Sequence, residues 1–283
     1  MFPTPIAKTS APTRWLYQVA LPIALLVWLL PIIAVALTSL RGQGDIASGN
    51  YWGLPTQWQV IENYTAVFTN TPILRYIGNS FLVTLPTVIG AVSLACLAGY
   101  ALGVYRFKLN LLVFFIFVGG NFVPFQILMV PVRDLSLRLG LYDSITGLVL
   151  FHIAFQTGFC TFFMRNFIRD LPMELVEAAR IEGANEFQIF WRVVLPLVRP
   201  ALAALAVLVF TFIWNDYFWS TVLIQGDHAM PVTGGLKSLN GMWVAQWHLV
   251  SAGSIVAALP PVAIFFLMQK QFIAGLTLGA SKG

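Results

Sequence analysis

PMELVEAARIEGANEFQIFWRVVLPLVRP, Pro172 to Pro200, is the one long polar-rich helical stretch in a chain otherwise made of apolar runs. It reads as two short helices meeting at a glycine. Pro172 fits a first helical turn, Glu174 and Glu177 sit near the positive end of the helix dipole, and Gly183 supplies the left-handed residue that closes a helix. Asn185 restarts the chain as an N-cap, with Gln188 three residues on to complete a capping box. Leu175, Val176, Ala178 and Ala179 form a small apolar ridge beside Glu177 and Arg180, a shape that suits a shallow groove. Pro196 and Pro200 are expected to end or kink the helix into the next apolar run. Two uses fit this pattern: a connector lying on lipid headgroups, or a helix that docks into a partner.

The composition places the chain in a bilayer. Of its 283 residues 58% are hydrophobic and 10% charged, with mean hydropathy +0.81, too little polar surface to coat a soluble domain. Membrane lipid is therefore a partner. The net charge of +5 raises nucleic acid as a ligand, but that needs basic residues gathered on one solvated face; here they sort by membrane side. Cys96 and Cys160 both fall in apolar runs and read as packing residues.

A spanning helix needs about 20 apolar residues, and six runs qualify: Tyr17 to Leu40, Gly78 to Tyr105, Leu109 to Val130, Ser144 to Met164, Ala201 to Ile224 and Val250 to Met268. The first is too long for a signal peptide and lacks a good cleavage site. The expected organisation is a cytoplasmic tail over 1–16 and one six-span domain over 17–283, with the polar loop at 172–200. Eleven Lys and Arg residues fall on the side of that loop and five on the other, which puts both termini and the loop in the cytoplasm. The outer stretch Arg41 to Ile77, rich in Gly, Trp and Tyr, is either a lid or docking surface or a loose interfacial loop. The outer stretch Gln225 to Leu249, with Trp243 and Trp247, suits partner contact or is a plain connector. Pro86, Pro124 and Pro260-Pro261 are expected to kink spans.

Chemistry concentrates in the fifth run, at Trp214-Asn215-Asp216-Tyr217-Phe218-Trp219. An acid inside a span is costly, so a water-lined path or an interior partner is expected for Asp216. Trp214, Tyr217 and Trp219 offer faces for a sugar ring, and Asn215 and Asp216 can bond hydroxyls; helix-to-helix pairing and interfacial anchoring are the blander uses. Asn121 and Gln126 in the third run are similar candidates. The three histidines show no metal-ligand spacing, so no metal site is expected, and no GxxxxGK[ST] phosphate loop occurs, so any ATP dependence must come from another polypeptide.

The spacing Glu177-Ala178-Ala179, three residues, Gly183, nine residues, Val193, then Leu195-Pro196 closely resembles the signature loop of binding-protein-dependent ABC importer permeases. ENY at Glu62, NSFLVT at Asn79, YALGVYRF at Tyr100, LGLYDS at Leu139, FFMRNFIRDLP at Phe162, WNDY at Trp214 and GLTLGASKG at Gly275 are similar to the carbohydrate-uptake branch, the maltose-type second permease subunit. Glu182 stands where Asp is more usual and keeps the charge. The resemblance implies an all-α type I importer transmembrane domain in a bacterial or archaeal cytoplasmic membrane. It also implies a second homologous permease, two ABC ATPase subunits that bind the ATP and Mg, and an extracytoplasmic sugar-binding protein. This chain would itself bind no cofactor and catalyse nothing. Glu177, Ala178, Ala179 and Gly183, with Arg180, Glu182 and Ala184 around them, would form the coupling helix that docks on an ATPase. Other cargo, such as a glycerophosphodiester or polyol, is an alternative. A secondary carrier would need more intramembrane ionisable groups and internal pseudo-symmetry, and a membrane enzyme would need a catalytic acid or metal cluster.

Overall fold

The computed structural model describes residues 10–239 and 246–280. Lys8 and Lys282 of the charge count, and Gly241 and Trp243 of the last outer stretch, lie outside the described residues. The helices in order are α1 (Ala11–Ser39), α2 (Gln43–Ala47), α3 (Val60–Thr69), α4 (Ile73–Val104), α5 (Asn110–Gly119), α6 (Met129–Arg138), α7 (Ile145–Arg169), α8 (Met173–Ile181), α9 (Glu186–Ile189), α10 (Leu195–Trp214), α11 (Phe218–Leu223), α12 (Val232–Gly235) and α13 (Trp247–Ala280). The extended pairing among the described residues is a single bridge, Arg41 to Trp58. The fold is all-α, as its apolar runs require.

Among the described residues five helical stretches are long and apolar enough to cross a membrane: Ala11–Ser39, Ile73–Val104, Ile145–Arg169, Glu186–Trp214 and Trp247–Lys270. The third apolar run supplies a shorter apolar helical stretch, Asn110–Phe122, in place of the full length read to Val130. It forms α5 and a 3-10 turn, Gly120–Phe122, and then leaves the helix until Met129. Proline explains the break. Residues before proline are pushed out of the helical region, and Val123 before Pro124 takes φ −77°, ψ 121°, so Pro124 terminates a helix rather than kinking one. The fifth run is also corrected: its helix ends at Trp214, and a new one starts at Phe218. Pro196 and Pro200 do not stop the chain. A π-helical turn, Phe190–Val194, precedes Pro196 in the first turn of α10, and α10 runs through Pro200.

The chain divides into two compact units, residues 1–71 with 238–256 and residues 72–237 with 257–283. The first carries α1 and, at its end, a polar knot rather than a loose loop. Arg41 is fully buried and donates to the Gly53 carbonyl at 2.9 Å, while Asn63 Nδ2 donates to the carbonyls of Ser39 and Arg41, both at 2.9 Å. The Asp45 carboxylate accepts from the Thr56 N–H at 2.9 Å and from its hydroxyl.

The second unit is organised on α4 against α7. Lipid is as apolar as leucine, so helices in it associate by close packing instead of by escape from water. Gly99 allows that approach: a Cβ there would come within 2.8 Å of Met164 Cβ and 2.9 Å of the Arg165 backbone nitrogen. Val83, Ala91, Ala95, Cys96, Leu148, Cys160, Met164 and Ile168 build the buried seam, and α10 adds Val198, Leu205 and Val209. Both cysteines are packing residues in this core.

Candidate coupling surface and permeation path

The polar loop folds as its local chemistry dictates. α8 closes at Gly183, whose φ of +86° is left-handed. Asn185 Oδ1 accepts from the Gln188 N–H at 2.9 Å and Gln188 Oε1 accepts from the Asn185 N–H at 3.0 Å, a complete capping box. Glu186 then ties the loop to the end of α4. Its carboxylate accepts from Arg180 Nε at 2.8 Å and Nη2 at 3.2 Å, from the Tyr100 hydroxyl at 2.8 Å, and from the Tyr105 hydroxyl. The hydrogen bond to Glu186 pushes the Arg180 guanidinium further above its ordinary pKa. Burial, and after it the Glu186 carboxylate, pushes the Tyr105 hydroxyl up, so it stays a neutral donor.

The apolar ridge divides between two faces. Val176 is buried and Ala179 half-buried, anchoring α8 to the bundle, while Leu175 and Ala178 point outward. Ile181, 88% exposed, continues that outer row at the i, i+3, i+6 spacing, and Phe187, 71% exposed, stands just beyond the turn. Sequence reasoning missed both, although counting in threes from Leu175 finds Ile181. Glu177, Glu182 and Gly183 are exposed and Ala184 half-buried. The result is a small apolar face with acidic neighbours on a braced helix, a shape able to sit in a groove and transmit force.

The WNDY residues take separate positions. Trp214 is buried, donates from Nε1 to the Ala257 carbonyl at 3.0 Å, and stacks on Phe210 at 5.5 Å. Trp219 is buried against Phe151 at 4.1 Å. Asp216 caps α11: its carboxylate accepts the N–H of Trp219 at 3.2 Å and of Ser220 at 2.9 Å. Its Oδ2 also lies 3.5 Å from His152 Nε2, near enough to pair but without the alignment of a hydrogen bond. Asn215 and Tyr217 are exposed, as are Asn121 and Gln126 at the other break. A ring contact at 5.0 Å between Phe125 and Phe218 sets the two interruptions side by side. Non-helical backbone at membrane depth persists where it is buried in protein or lines a cavity. Among the described residues no group of three His, Cys, Asp or Glu is placed to hold a metal.

The comparisons agree with this architecture. Residues 4–277 match the family model described as binding-protein-dependent transport system inner membrane component. The arabinooligosaccharides transport system permease AraQ of Halalkalibacterium halodurans is 31% identical over 278 residues, covering 98% of this chain and 99% of AraQ. The sn-glycerol-3-phosphate transport system permease UgpE of Yersinia pestis is 37% identical over 228 residues, covering 78% and 80%. A crystal structure of a bacterial ABC transporter that imports the acidic polysaccharide alginate superposes with a TM-score of 0.80 at 25% identity, covering 95% of this chain and 100% of the matched one. The chain belongs to the family of binding-protein-dependent transport system inner membrane components and is an integral membrane permease of the ABC transporter kind.

Proposed function

We propose that this permease imports a sugar or oligosaccharide by alternating access, driven through α8 by ATP hydrolysis on partner subunits. The observation that carries the reading is the outward row Leu175, Ala178, Ile181 on a helix braced at Glu186 and closed at Gly183. In this reading Glu177, Ala178, Arg180, Glu182 and Gly183 form the contact with one of two ABC ATPases, which hold ATP and Mg, while Ala179 and Ala184 back them against the bundle. A binding protein delivers cargo on the far side. The loop and both termini lie in the cytoplasm of a bacterial or archaeal cell, in keeping with the charge asymmetry. A second permease completes the pore.

The path proposed for cargo runs past the paired breaks, with Asn121, Gln126, Asn215 and Tyr217 as hydroxyl partners and Trp214, Asp216 and Trp219 shaping the wall. The likeness to arabinooligosaccharide and alginate transporters supports a saccharide. The likeness to UgpE supports a second reading, a polyol phosphate, but the exposed polar groups at the breaks are neutral, which suits hydroxyls better than a phosphate ester. The test is uptake into liposomes of the chain assembled with its partner permease, its ATPases and its binding protein. Labelled oligosaccharide is expected to accumulate only when Mg-ATP is supplied on the ATPase side. Accumulation by the chain alone, without nucleotide, overturns the reading.

A further inference from the structure

Beside the coupling helix, an open crevice of about 1010 Å³ lies between the end of α4, the turn at 105–110, the end of α7 and α8. Five cations line it, Arg106, Lys108, Arg165, Arg169 and Arg180, against one carboxylate, Glu177. Arg180 pairs with Glu186. Among the described residues no carboxylate lies within ion-pair distance of the other four.

Arg165 is the most telling of them, being only 7% exposed. Its Nε donates to the Leu102 carbonyl at 3.2 Å, its Nη2 to Asn110 Oδ1 at 3.4 Å, and its guanidinium lies 4.0 Å over the Phe114 ring. All three partners are neutral. Guanidinium does not deprotonate in proteins, so a buried one among neutral partners and further cations calls for an anion. The geometry also gives that anion a tail. Leu111 lines the crevice, and from it Leu112, Phe115 and Ile116 continue along α5, each more than half exposed.

We propose that this crevice holds the phosphate headgroup of an anionic membrane lipid, with its acyl chains along the apolar face of α5. The position suits a headgroup, at the shared ends of two spanning helices where basic pockets take anionic lipids. Arginine forks match phosphate oxygens two at a time. An acidic segment of a partner protein would answer the same charges but would leave the α5 wall without a use.

The experiment is native mass spectrometry of the chain purified with its partner subunits, after exchange into micelles doped with phosphatidylglycerol or with phosphatidylcholine. Wild type is expected to retain phosphatidylglycerol in preference to phosphatidylcholine. The triple variant Arg106→Gln, Lys108→Gln, Arg169→Gln removes exposed cations and is expected to lower that retention at least about tenfold. Arg165→Gln is the companion variant, read only if the assembly stays intact. Equal retention of the two lipids, or retention untouched by the triple variant, overturns the proposal. So does a crevice filled by inorganic phosphate with no lipid retained, which assigns it to a free anion, or lipid bound only once the ATPases are stripped off, which assigns it to protein. The readout is lipid rather than uptake, so it stands apart from the transport reading.

Discussion

Between Met173 and Val194 the chain is shaped mainly by residues close in sequence: the Gly183 turn, the Asn185–Gln188 capping box and the Arg180–Glu186 pair. At 123–128 and 215–217 the helix is broken locally, by Pro124 and by the Asp216 cap, but the breaks are also held by distant residues, with Phe125 on Phe218, Trp219 on Phe151 and Trp214 on Ala257. A locally determined element keeps its shape while it moves, as the proposed coupling helix must. Interruptions held by neighbours on other helices change when those helices move, as the proposed cargo path must. The same chain thus carries one interruption set chiefly by its own sequence and two that also lean on neighbouring helices.

The sharpest way to break this contrast is at Gly183. No atom lies within 4 Å of a Cβ built there, so substitution acts through backbone conformation rather than through a clash. A β-branched residue at φ +86° opposes the turn by about 1–2 kcal/mol, while asparagine tolerates it. Gly183→Val is expected to lower ATP-driven uptake at least about tenfold, with normal amounts in the membrane fraction, and Gly183→Asn to keep most of it. Normal transport by the valine variant would show that the loop's shape is not what couples.

Asp216 tests the other side of the contrast. As the cap of α11 it needs an acceptor oxygen and not a charge. Asp216→Ala is expected to cost about 1 kcal/mol, read as a lowered melting temperature, and Asp216→Asn a few tenths. An asparagine variant with normal melting but uptake as poor as alanine's would move Asp216 from wall to substrate contact. Smaller still is the coupling within the loop. Arg180 and Glu186 are 39% and 45% exposed, so a double-mutant cycle of Arg180→Gln and Glu186→Gln is expected to return less than about 1 kcal/mol of interaction. A larger value would mean that the tyrosines at the end of α4 make the pair cooperative.

How much the sequence disclosed obeys the same division. The Gly183 turn and the capping box are written in residues three apart, and both appear as read. Glu186 is different: its partners Tyr100 and Tyr105 lie 86 and 81 residues away, and no local pattern announces them. The break before Pro124 was hidden for another reason. A hydropathy run averages over its residues, and proline in such a run can kink or terminate; the outcome depends on Val123, which adopts the extended conformation. Likewise His152 reads as an isolated polar residue of α7 until folding brings Asp216 within 3.5 Å. The division of the ridge, Val176 inward and Ile181 outward, depends on which side of α8 meets the bundle, and that is a tertiary fact.

The smallest expected effect lies in the link between α6 and α7. Asp143 holds the left-handed φ of 56°, and its Oδ1 accepts the N–H of Gln225 at 2.8 Å and of Gly226 at 3.0 Å, a long-range clamp beside the end of α11. Burial favours the neutral carboxyl, but the two N–H donors outweigh it and, with His228, hold the group below the usual carboxylate range. A carboxyl depressed in the folded state adds stability that is present in full above the unfolded pKa, about 4, and is lost as pH falls through the folded value. Wild type is therefore expected to melt at a lower temperature as pH drops below about 4, and Asp143→Asn, which keeps the acceptor without the proton equilibrium, to show a flatter profile from a lower starting point. Identical slopes would place the acid sensitivity elsewhere and leave the clamp with only its hydrogen bonds, which makes it, like the capping box, a geometric device rather than an electrostatic one.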